Sequence, residues 1–426
     1  MKKPFWLLFS ADVLVVLGEA IGLFCIEVLL FQKTGSTGLM GSLVFCFVLP
    51  ETVLRLLGTG FIDRFNRIKL MSTLNIIRGM VIGGLCISLF MGTFHIWLFF
   101  IAAMILGSCA ALFLPTGMAL IPNLVEKDQL VRGYSLLESF SSSARVSGPL
   151  VASFFIACSG AESGMWIFAG SVFLGSILIR FIKNPSQESL EKSTNNSTIS
   201  FSQIKKDIGE GFSFFRQIPA LTVVMLLAAI TTMGMAMWFM LLVPYGQKVL
   251  HINYTQISLL SSLFFVGIIC AAIITGWIGN VHSRSKFMMG SLISTGIFTC
   301  LISFTTNYYL ALSLFFLLGM TMPFFNTHSQ SIFAQLIPDS HLGRVMSVRL
   351  LLGQGSIPLG SLTGGWISEW FGTPSIFFIA GALSILAGII GLLIPWLNQI
   401  DGNLDELASE IKEKFAPLPV QEKESA

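Results

Sequence analysis

Long apolar stretches, separated by short polar turns, recur along almost the whole chain. A helix of about 20 apolar residues crosses the roughly 30 Å hydrocarbon core of a bilayer, and each stretch is about that long or longer. The pattern predicts twelve membrane-spanning helices, at residues 5–31, 39–61, 70–92, 95–121, 134–157, 164–183, 220–243, 255–279, 287–305, 308–335, 345–367 and 374–396. The sequence therefore predicts an all-α membrane protein.

The composition supports a membrane protein, because 54% of the 426 residues are hydrophobic and only 11% are charged. Soluble domains carry about 25% charged residues. The formal net charge of +3 is too small to indicate a nucleic-acid partner. We expect the lipid bilayer to be the main partner of the chain, and we expect a monomer.

The basic residues indicate how the chain is oriented in the membrane. If the helices alternate in direction, Lys33 and Lys248 lie on one side, and the other loop and tail lysines and arginines lie on the opposite side. Basic loops stay in the cytoplasm by the positive-inside rule. The pattern predicts an even number of helices, cytoplasmic termini at both ends, and a multi-pass protein of the plasma (inner) membrane.

A long polar segment between the sixth and seventh predicted helices divides the chain into two halves. Its first part is rich in serine, threonine and asparagine, and its second part, "FSQIKKDIGEGFSFF", can form an amphipathic helix along the inner face of the membrane. The predicted organisation is an N-terminal six-helix bundle (1–183), a cytoplasmic linker (184–219), a C-terminal six-helix bundle (220–397) and a cytoplasmic tail (398–426).

The two halves repeat each other in sequence. "TGFIDRFNRIKLM" from Thr59 matches "GWIGNVHSRSKFM" from Gly276, and "LIPNLVEKDQLVRGYS" matches "LIPDSHLGRVMS". The second match places Gly148 opposite Gly360. Duplicated six-helix halves predict a pseudo-twofold axis along the membrane normal and a site between the bundles, an arrangement typical of solute transporters.

"GFIDRFNRIK" resembles the signature loop between the second and third helices of the major facilitator superfamily. "TGSTGLMG" and "LIPDSHLGRVMS" resemble more closely its branch of macrolide efflux proteins, enterobactin exporters and lysophospholipid transporters. The resemblance implies the fold of that superfamily, with twelve helices in two pseudo-symmetric bundles. It also implies that Asp63 bridges helices across a cytoplasmic gate, with Arg67 as its basic partner and with Arg64 and Arg284 in the same loops. The alternative is that these basic loops only set the topology.

Gly148 and Pro149 in "ARVSGPLVAS" resemble the glycine–proline motif in helix five of exporters. In the superfamily this motif accompanies drug/proton antiport, although Ala152 and Ser153 replace later glycines of the motif. The proline bends the helix and the glycine permits close approach of a neighbour. The alternative is a packing kink without a role in transport direction.

The first apolar stretch contains the acids Asp12, Glu19 and Glu27. A charge at the bilayer centre costs about 2.5 to 3.5 kcal/mol or more, so such residues normally face partners or water. Asp12 and Glu19 lie seven residues apart and therefore share a helix face, whereas Glu27 points elsewhere, near the outer mouth. We expect the shared face to look into a polar cavity of the N-terminal bundle.

Glu19 is the first candidate for proton coupling and Asp12 the second, because Glu19 has no basic neighbour on its own helix. A fixed buried ion pair is the alternative for Glu19. Depths counted at 1.5 Å per residue place further ionisable residues near these two acids. The residues expected in buried ion pairs are Glu51, Arg55, Arg78, Glu138 and Arg145.

The C-terminal half carries few ionisable residues in its helices but many methionines and aromatic residues. Such side chains adapt to bulky apolar ligands. Trp238, Phe325 and His328 are the candidates for substrate binding. The alternatives are helix packing for the aromatic rings and a satisfied interior polar residue for His328.

These features together predict a secondary active transporter that exports amphipathic small molecules, such as macrolide-type drugs, in exchange for protons. The alternatives are a siderophore exporter, a lysophospholipid flippase, an uptake symporter, and a transporter-like sensor or scaffold. An ATP-driven pump is disfavoured because the chain has no GxxxxGK[ST] loop. No enzyme activity, cofactor or metal is expected.

Overall fold

The computed structural model describes residues 3–57, 65–182, 201–279, 281, 283–401 and 404–414. The described ranges contain helices and no strand. The first half contains the helices α1 (Lys3–Thr34), α2 (Thr37–Leu57), α3 (Arg67–Phe90), α4 (Ile96–Leu124), α5 (Leu130–Ser159) and α6 (Ala161–Arg180). Each of the first six predicted spans coincides with one of these helices.

The linker contains α7 (Phe201–Gln217), and the second half follows it. Its helices are α8 (Pro219–Phe239), α9 (Leu242–Lys248), α10 (Tyr254–Ile278), α11 (Arg284–Ser303), α12 (Tyr308–Leu336), α13 (Asp339–Phe371) and α14 (Thr373–Leu393), with α15 (Leu404–Lys414) in the tail. The seventh predicted span, 220–243, is divided between α8 and the short α9. We call the end that carries the basic loops the inner end and the opposite end the outer end.

Ten helices of the described chain are long and apolar enough to cross a membrane. The two other long helices, α5 and α13, span 30 and 33 residues but are more polar. They occupy corresponding places in the two halves. Both lie at the interface between the bundles, which explains why they carry polar residues at membrane depth.

The packing of the helices repeats between the halves. In the first bundle α1 packs on α5 and α6, α3 on α4 and α6, and α2 on α4. In the second bundle α8 packs on α13 and α14, α11 on α12 and α14, and α10 on α12. The bundles meet where α2 packs on α13 and α5 on α10, and these two contacts are also related by the repeat.

Two glycines show the repeat at the level of single residues. A methyl group added at Gly148 of α5 would lie 2.4 Å from the Cβ of Ala20 in α1, and one added at Gly360 of α13 would lie 2.4 Å from the carbonyl oxygen of Met233 in α8. Each glycine therefore lets the fifth helix of its half approach the first. The structure confirms the predicted two-bundle architecture in these contacts.

The linker helix α7 is attached to the second bundle. Its Phe214 and Phe215 are buried, and the Phe215 ring lies 5.9 Å from that of Phe333. Glu210 forms an ion pair with Arg344 at the start of α13. The predicted amphipathic helix is therefore present in the linker, and its buried rings Phe214 and Phe215 pack on the second bundle.

The tail is also joined to the inner end of the second bundle. Leu404, Ala408 and Ile411 of α15 are buried in the same apolar cluster as Phe214. The Asp401 carboxylate accepts a hydrogen bond from the backbone N–H of Ser285, at the start of α11, at 2.7 Å. The linker and the tail thus cover the same part of the second bundle.

Candidate functional site

Glu19 of α1 and Arg78 of α3 form an ion pair in the interior of the first bundle. The distance from Arg78 Nη2 to Glu19 Oε1 is 3.2 Å, and the two side chains are 1% and 19% exposed, respectively. The guanidinium of Arg78 also lies over the ring of Phe113 in α4, 5.3 Å from its centroid. A cation between a carboxylate and a ring face is held by both, so Arg78 connects α1, α3 and α4.

The same region contains polar atoms without hydrogen-bond partners in the described part of the chain. They are Nε and Nη1 of Arg78 and both amide atoms of Asn75, one turn away on α3. Asn75 is fully buried. An unsatisfied buried polar group costs about 1 to 3 kcal/mol. The described protein groups therefore leave these four atoms available for hydrogen bonds to water molecules or to a ligand.

Asp12 lies one to two turns nearer the inner end than Glu19 and is 5% exposed. Its Oδ2 accepts a hydrogen bond from Ser141 Oγ of α5 at 2.7 Å. A cavity of about 10 Å³ lies beside Asp12 and Ser141, with Gly117 and Met118 of α4 on its other side. That volume is about the size needed for one water molecule. The structure places both Asp12 and Glu19 toward the bundle interior, not toward lipid.

The remaining acids expected in buried ion pairs are more exposed than expected. Glu51 and Arg55 do form an ion pair along α2, but their side chains are 21% and 39% exposed. Glu138 is exposed and accepts a hydrogen bond from Ser142, one turn along α5, at 3.3 Å. The expected burial of Glu138 is not observed, because its face of α5 turns away from α1. The side chain of Arg145 lies outside the described part of the structure.

Polar side chains are exposed on the inner halves of α5, α12 and α13, of which α5 and α13 contact the opposite bundle. On α5 they form a continuous stripe, since positions i, i+1, i+4 and i+5 lie on one helix face. Polar groups are costly against acyl chains, so we expect these faces to meet water or a polar ligand in the membrane. The exposed residues are Glu138, Ser139, Ser142 and Ser143 of α5, Asn326, Thr327 and Gln330 of α12, and Ser347 and Gln354 of α13.

At the outer end the bundles are joined by Glu369, in the last turn of α13. Its Oε2 accepts hydrogen bonds from the backbone N–H groups of Thr37 and Gly38 at 2.7 and 3.2 Å, and from the hydroxyls of Thr37 and Ser36 at 3.0 and 3.1 Å. The first N–H groups of a helix have no partner within the helix and attract negative charge. Glu369 therefore caps α2 from the opposite bundle.

Further hydrogen bonds also join the outer ends, among them one from Thr37 Oγ1 to the carbonyl of Gly365 at 3.1 Å. Gln32 donates to the hydroxyl of Tyr254 at 2.8 Å, and Lys248 Nζ donates to the carbonyl of Gly35 at 3.0 Å. Trp366 Nε1 donates to Ser42 Oγ at 3.2 Å. We call these contacts and those of Glu369 the outer belt. The outer belt closes the outer end of the interface in this conformation.

Glu369 lies beyond residue 367, where the predicted span of α13 ends. Desolvation at the interface raises the pKa of this carboxyl, but the hydrogen bonds from Gly38, Thr37 and Ser36 outweigh it and hold the pKa below the ordinary value of 4.5. The capping carboxylate is therefore ionised at neutral pH.

The glycine–proline motif lies at two interfaces at once. Gly148 contacts Ala20 of α1, and the carbonyl of Pro149 accepts a hydrogen bond from Ser258 Oγ of α10 at 3.0 Å. The helix continues through Pro149 from Leu130 to Ser159. The motif thus connects the interior of the first bundle with the second bundle.

The residues predicted for the cytoplasmic gate are only partly described. Asp63 and Arg64 lie outside the described residues. Arg67 donates to the carbonyl of Ala119 in α4 at 2.8 Å, and Arg284 donates to the carbonyl of Ile400 in the tail at 3.5 Å. These contacts stay within each bundle and its own tail.

The predicted substrate-binding residues are buried within the second bundle. Trp238 is 2% exposed and lies among the rings of Phe264, Phe315 and Phe377. Phe325 and His328 are 3% and 5% exposed. In this conformation the three side chains pack inside the second bundle, and their role in substrate binding stays a prediction. Within the described residues, no cluster of three or more His, Cys, Asp or Glu side chains is placed to hold a metal ion.

The chain belongs to the Major Facilitator Superfamily, whose family model matches residues 8–254 and 224–420. Macrolide efflux protein A of Streptococcus pyogenes is 24% identical over 412 residues, which cover 94% of this chain and 97% of that protein. The fold is similar to that of the nucleoside transporter NupG (TM-score 0.73, 12% identity, 92% of this chain and 99% of that chain). It is also similar to that of a bacterial homologue of the iron transporter ferroportin in its inward-facing state (TM-score 0.70, 16% identity, 93% and 98%). The chain is therefore a multi-pass membrane transport protein.

Proposed function

We propose that the protein exports amphipathic small molecules of macrolide type across the plasma (inner) membrane in exchange for protons, as a monomer with both termini in the cytoplasm. The proposal draws its direction and substrate class from the similarity to macrolide efflux protein A over nearly the whole chain. The observation that carries proton coupling is the Glu19–Arg78 ion pair inside the first bundle.

A proton that binds the Glu19 carboxylate removes the negative charge that holds Arg78. Arg78 then has three nitrogens in need of acceptors, since Nε and Nη1 are already without one in the described residues. A buried cation without a partner is strongly unfavourable, so protonation favours a rearrangement of α1 against α3. Loss of the proton restores the pair. Asp12, bonded to Ser141 of α5, is the second proton-coupling group in this proposal.

The substrate site in this proposal is the cleft between the inner halves of the bundles. Its exposed serine, asparagine and glutamine side chains on α5, α12 and α13 can bind the polar groups of a substrate. Leu350, also exposed on α13, offers an apolar surface beside them. An amphipathic molecule matches both. The loops that contain Asp63, Arg64, Arg67 and Arg284 are proposed to close the inner end when the outer belt opens.

The test uses inside-out membrane vesicles with an acidified interior and radiolabelled erythromycin. We expect accumulation above that of vesicles without the protein, and collapse of the accumulation on addition of a protonophore. Glu19→Gln abolishes the accumulation at an unchanged amount of protein in the membrane, whereas the matched change Glu51→Gln retains it. Erythromycin levels equal to those of empty vesicles would contradict export of macrolides.

The same vesicles separate the alternatives. Accumulation of enterobactin or lysophosphatidylethanolamine in place of erythromycin would assign the chain to siderophore or lysophospholipid transport. Saturable binding of erythromycin without accumulation would indicate a sensor. Both outcomes leave membership in the superfamily untouched.

A further inference from the structure

Glu27 is a third carboxyl group within the first bundle, and its surroundings differ from those of Asp12 and Glu19. It lies on α1 about 12 Å nearer the outer end than Glu19, at 1.5 Å per residue. A cavity of about 50 Å³ lies beside it, and every other residue that lines this cavity is apolar. The apolar walls come from α1, α2, α3 and α4 and include Leu23, Val44, Phe47, Leu85 and Leu106.

The Glu27 carboxyl has no hydrogen-bond or ion-pair partner within the described residues. The charged groups nearest to it lie toward the helix ends: Lys33 at the exposed end of α1, His95 at the start of α4, Glu162 at the start of α6, and Lys248 of α9, whose Nζ lies 5.0 Å from the ring centroid of Phe31, one turn from Glu27 on α1. The outer halves of α2 and α3 carry no charged residue. Within the described residues Glu27 therefore has no cation in ion-pair contact, unlike Glu19.

The arginine of α5 lies at another depth. The contact of Gly148 with Ala20 places Arg145 level with residue 17 of α1. That position is about 15 Å nearer the inner end than Glu27, at 1.5 Å per residue. An ionised carboxylate in an apolar site is far more costly than a neutral carboxyl group unless a cation pairs with it. The apolar walls and the absence of a paired cation among the described residues therefore favour the neutral form of Glu27 in this conformation.

We propose that Glu27 is a proton-binding site, separate from the Glu19–Arg78 pair, that holds its proton while the outer end is closed. The proton is exchanged with water from the outer side: the carboxyl O–H bond breaks as a water molecule takes the proton, and the reverse step forms it again. No other group changes its bonding.

Helix α2 connects this site with the outer belt. Val44 and Phe47 of α2 form one wall of the cavity, and Thr37, about 10 Å along the same helix, is the residue whose N–H is held by Glu369. When Glu369 releases α2, the wall moves and water reaches Glu27. In the proposed export cycle, on which this step rests, a proton loaded from outside is enclosed as the outer belt forms.

Infrared difference spectroscopy of the purified full-length protein in lipid tests the site without any substrate. We expect a carbonyl band of a protonated carboxyl group in apolar surroundings at neutral pH. Glu27→Gln removes this band, whereas Glu27→Asp retains it and Glu19→Gln and Asp12→Asn leave it in place. A wild-type protein without the band, or a band that survives Glu27→Gln, would overturn the proposal.

A second variant tests the connection with the outer belt. Glu369→Ala lowers the pH at which the Glu27 band disappears by about one unit or more, because water gains access to the carboxyl. The matched change Glu162→Ala, at the outer end of the first bundle, leaves the titration unchanged. An unaltered titration in Glu369→Ala would overturn the connection. The band is independent of transport, so its presence in a protein that moves no erythromycin would contradict the export proposal alone.

Discussion

The carboxylate of Glu369 accepts a hydrogen bond from the backbone N–H of Thr37 at 2.7 Å, across the interface between the two bundles. The last turn of α13 thereby caps the first turn of α2, and 332 residues separate the two partners. Capping of a helix by a residue of the opposite bundle can exist only while the outer ends are together. Glu369 thus links the closure of the transporter to the satisfaction of backbone groups in α2.

Removal of this cap is expected to loosen the outer end. A hydrogen bond to a charged group contributes about 1.5 to 3 kcal/mol, and 1.4 kcal/mol changes an equilibrium about tenfold. We predict that Glu369→Ala raises, about tenfold or more, the rate at which an impermeant maleimide labels Ser42→Cys in a Cys158→Ser background. Glu162→Ala serves as the control, and equal labelling rates in both variants would contradict the role of Glu369.

The contribution of Glu369 to outer closure is expected to be insensitive to external pH in the range that cells meet. A carboxyl group whose pKa is lowered in the closed form stabilises that form fully above its ordinary pKa of 4.5, and the stabilisation is lost as the pH falls through the lowered value. We predict that the ratio of the labelling rates of Ser42→Cys with and without Glu369→Ala stays constant from about pH 8 to about pH 5. A steep change of this ratio between about pH 7 and pH 6 would contradict an ionised Glu369 as the capping group.

Close approach of α2 and α13 depends on glycine at two facing positions. A Cβ atom at Gly41 would lie 2.4 Å from the carbonyl oxygen of Ser361, and one at Gly365 would lie 2.7 Å from that of Thr37. We predict that Gly41→Leu prevents outer closure and abolishes erythromycin transport while the protein remains folded. The control is Gly83→Leu on α3, where no heavy atom lies within 4 Å. Transport by Gly41→Leu at the rate of the control would contradict this prediction.

Hydropathy and the internal repeat predicted the twelve spans because apolar length and sequence similarity are local properties of the chain. The helix ends were less predictable at α13, which begins at Asp339 and not near residue 345. Its first turns pack on the amphipathic α7 outside the apolar span. An apolar length criterion cannot detect residues that are buried by a neighbouring amphipathic helix.

The sequence predicted the depth of the site residues along their helices, but it did not predict which side chains point toward each other. Counting residues along the helices placed Glu19 near the level of Arg78, but only the packing of both α1 and α3 on α6 turns the two side chains toward each other. The same limitation applies to Trp238, because the sequence does not show that its ring faces Phe264 and Phe377 inside the second bundle. Glu369 gave no signal in the sequence, because its partners lie in the other half of the chain.

Glu19 is the group that is proposed to couple transport to protons, and this coupling can be measured directly. The direct measurement compares two modes of transport by the purified protein in proteoliposomes: accumulation of erythromycin driven by a pH gradient, and exchange of labelled for unlabelled erythromycin without a gradient. We predict that Glu19→Gln loses the driven accumulation and keeps the exchange, since the carboxyl is removed and the cleft is retained. Driven accumulation by Glu19→Gln at the wild-type level would contradict the account.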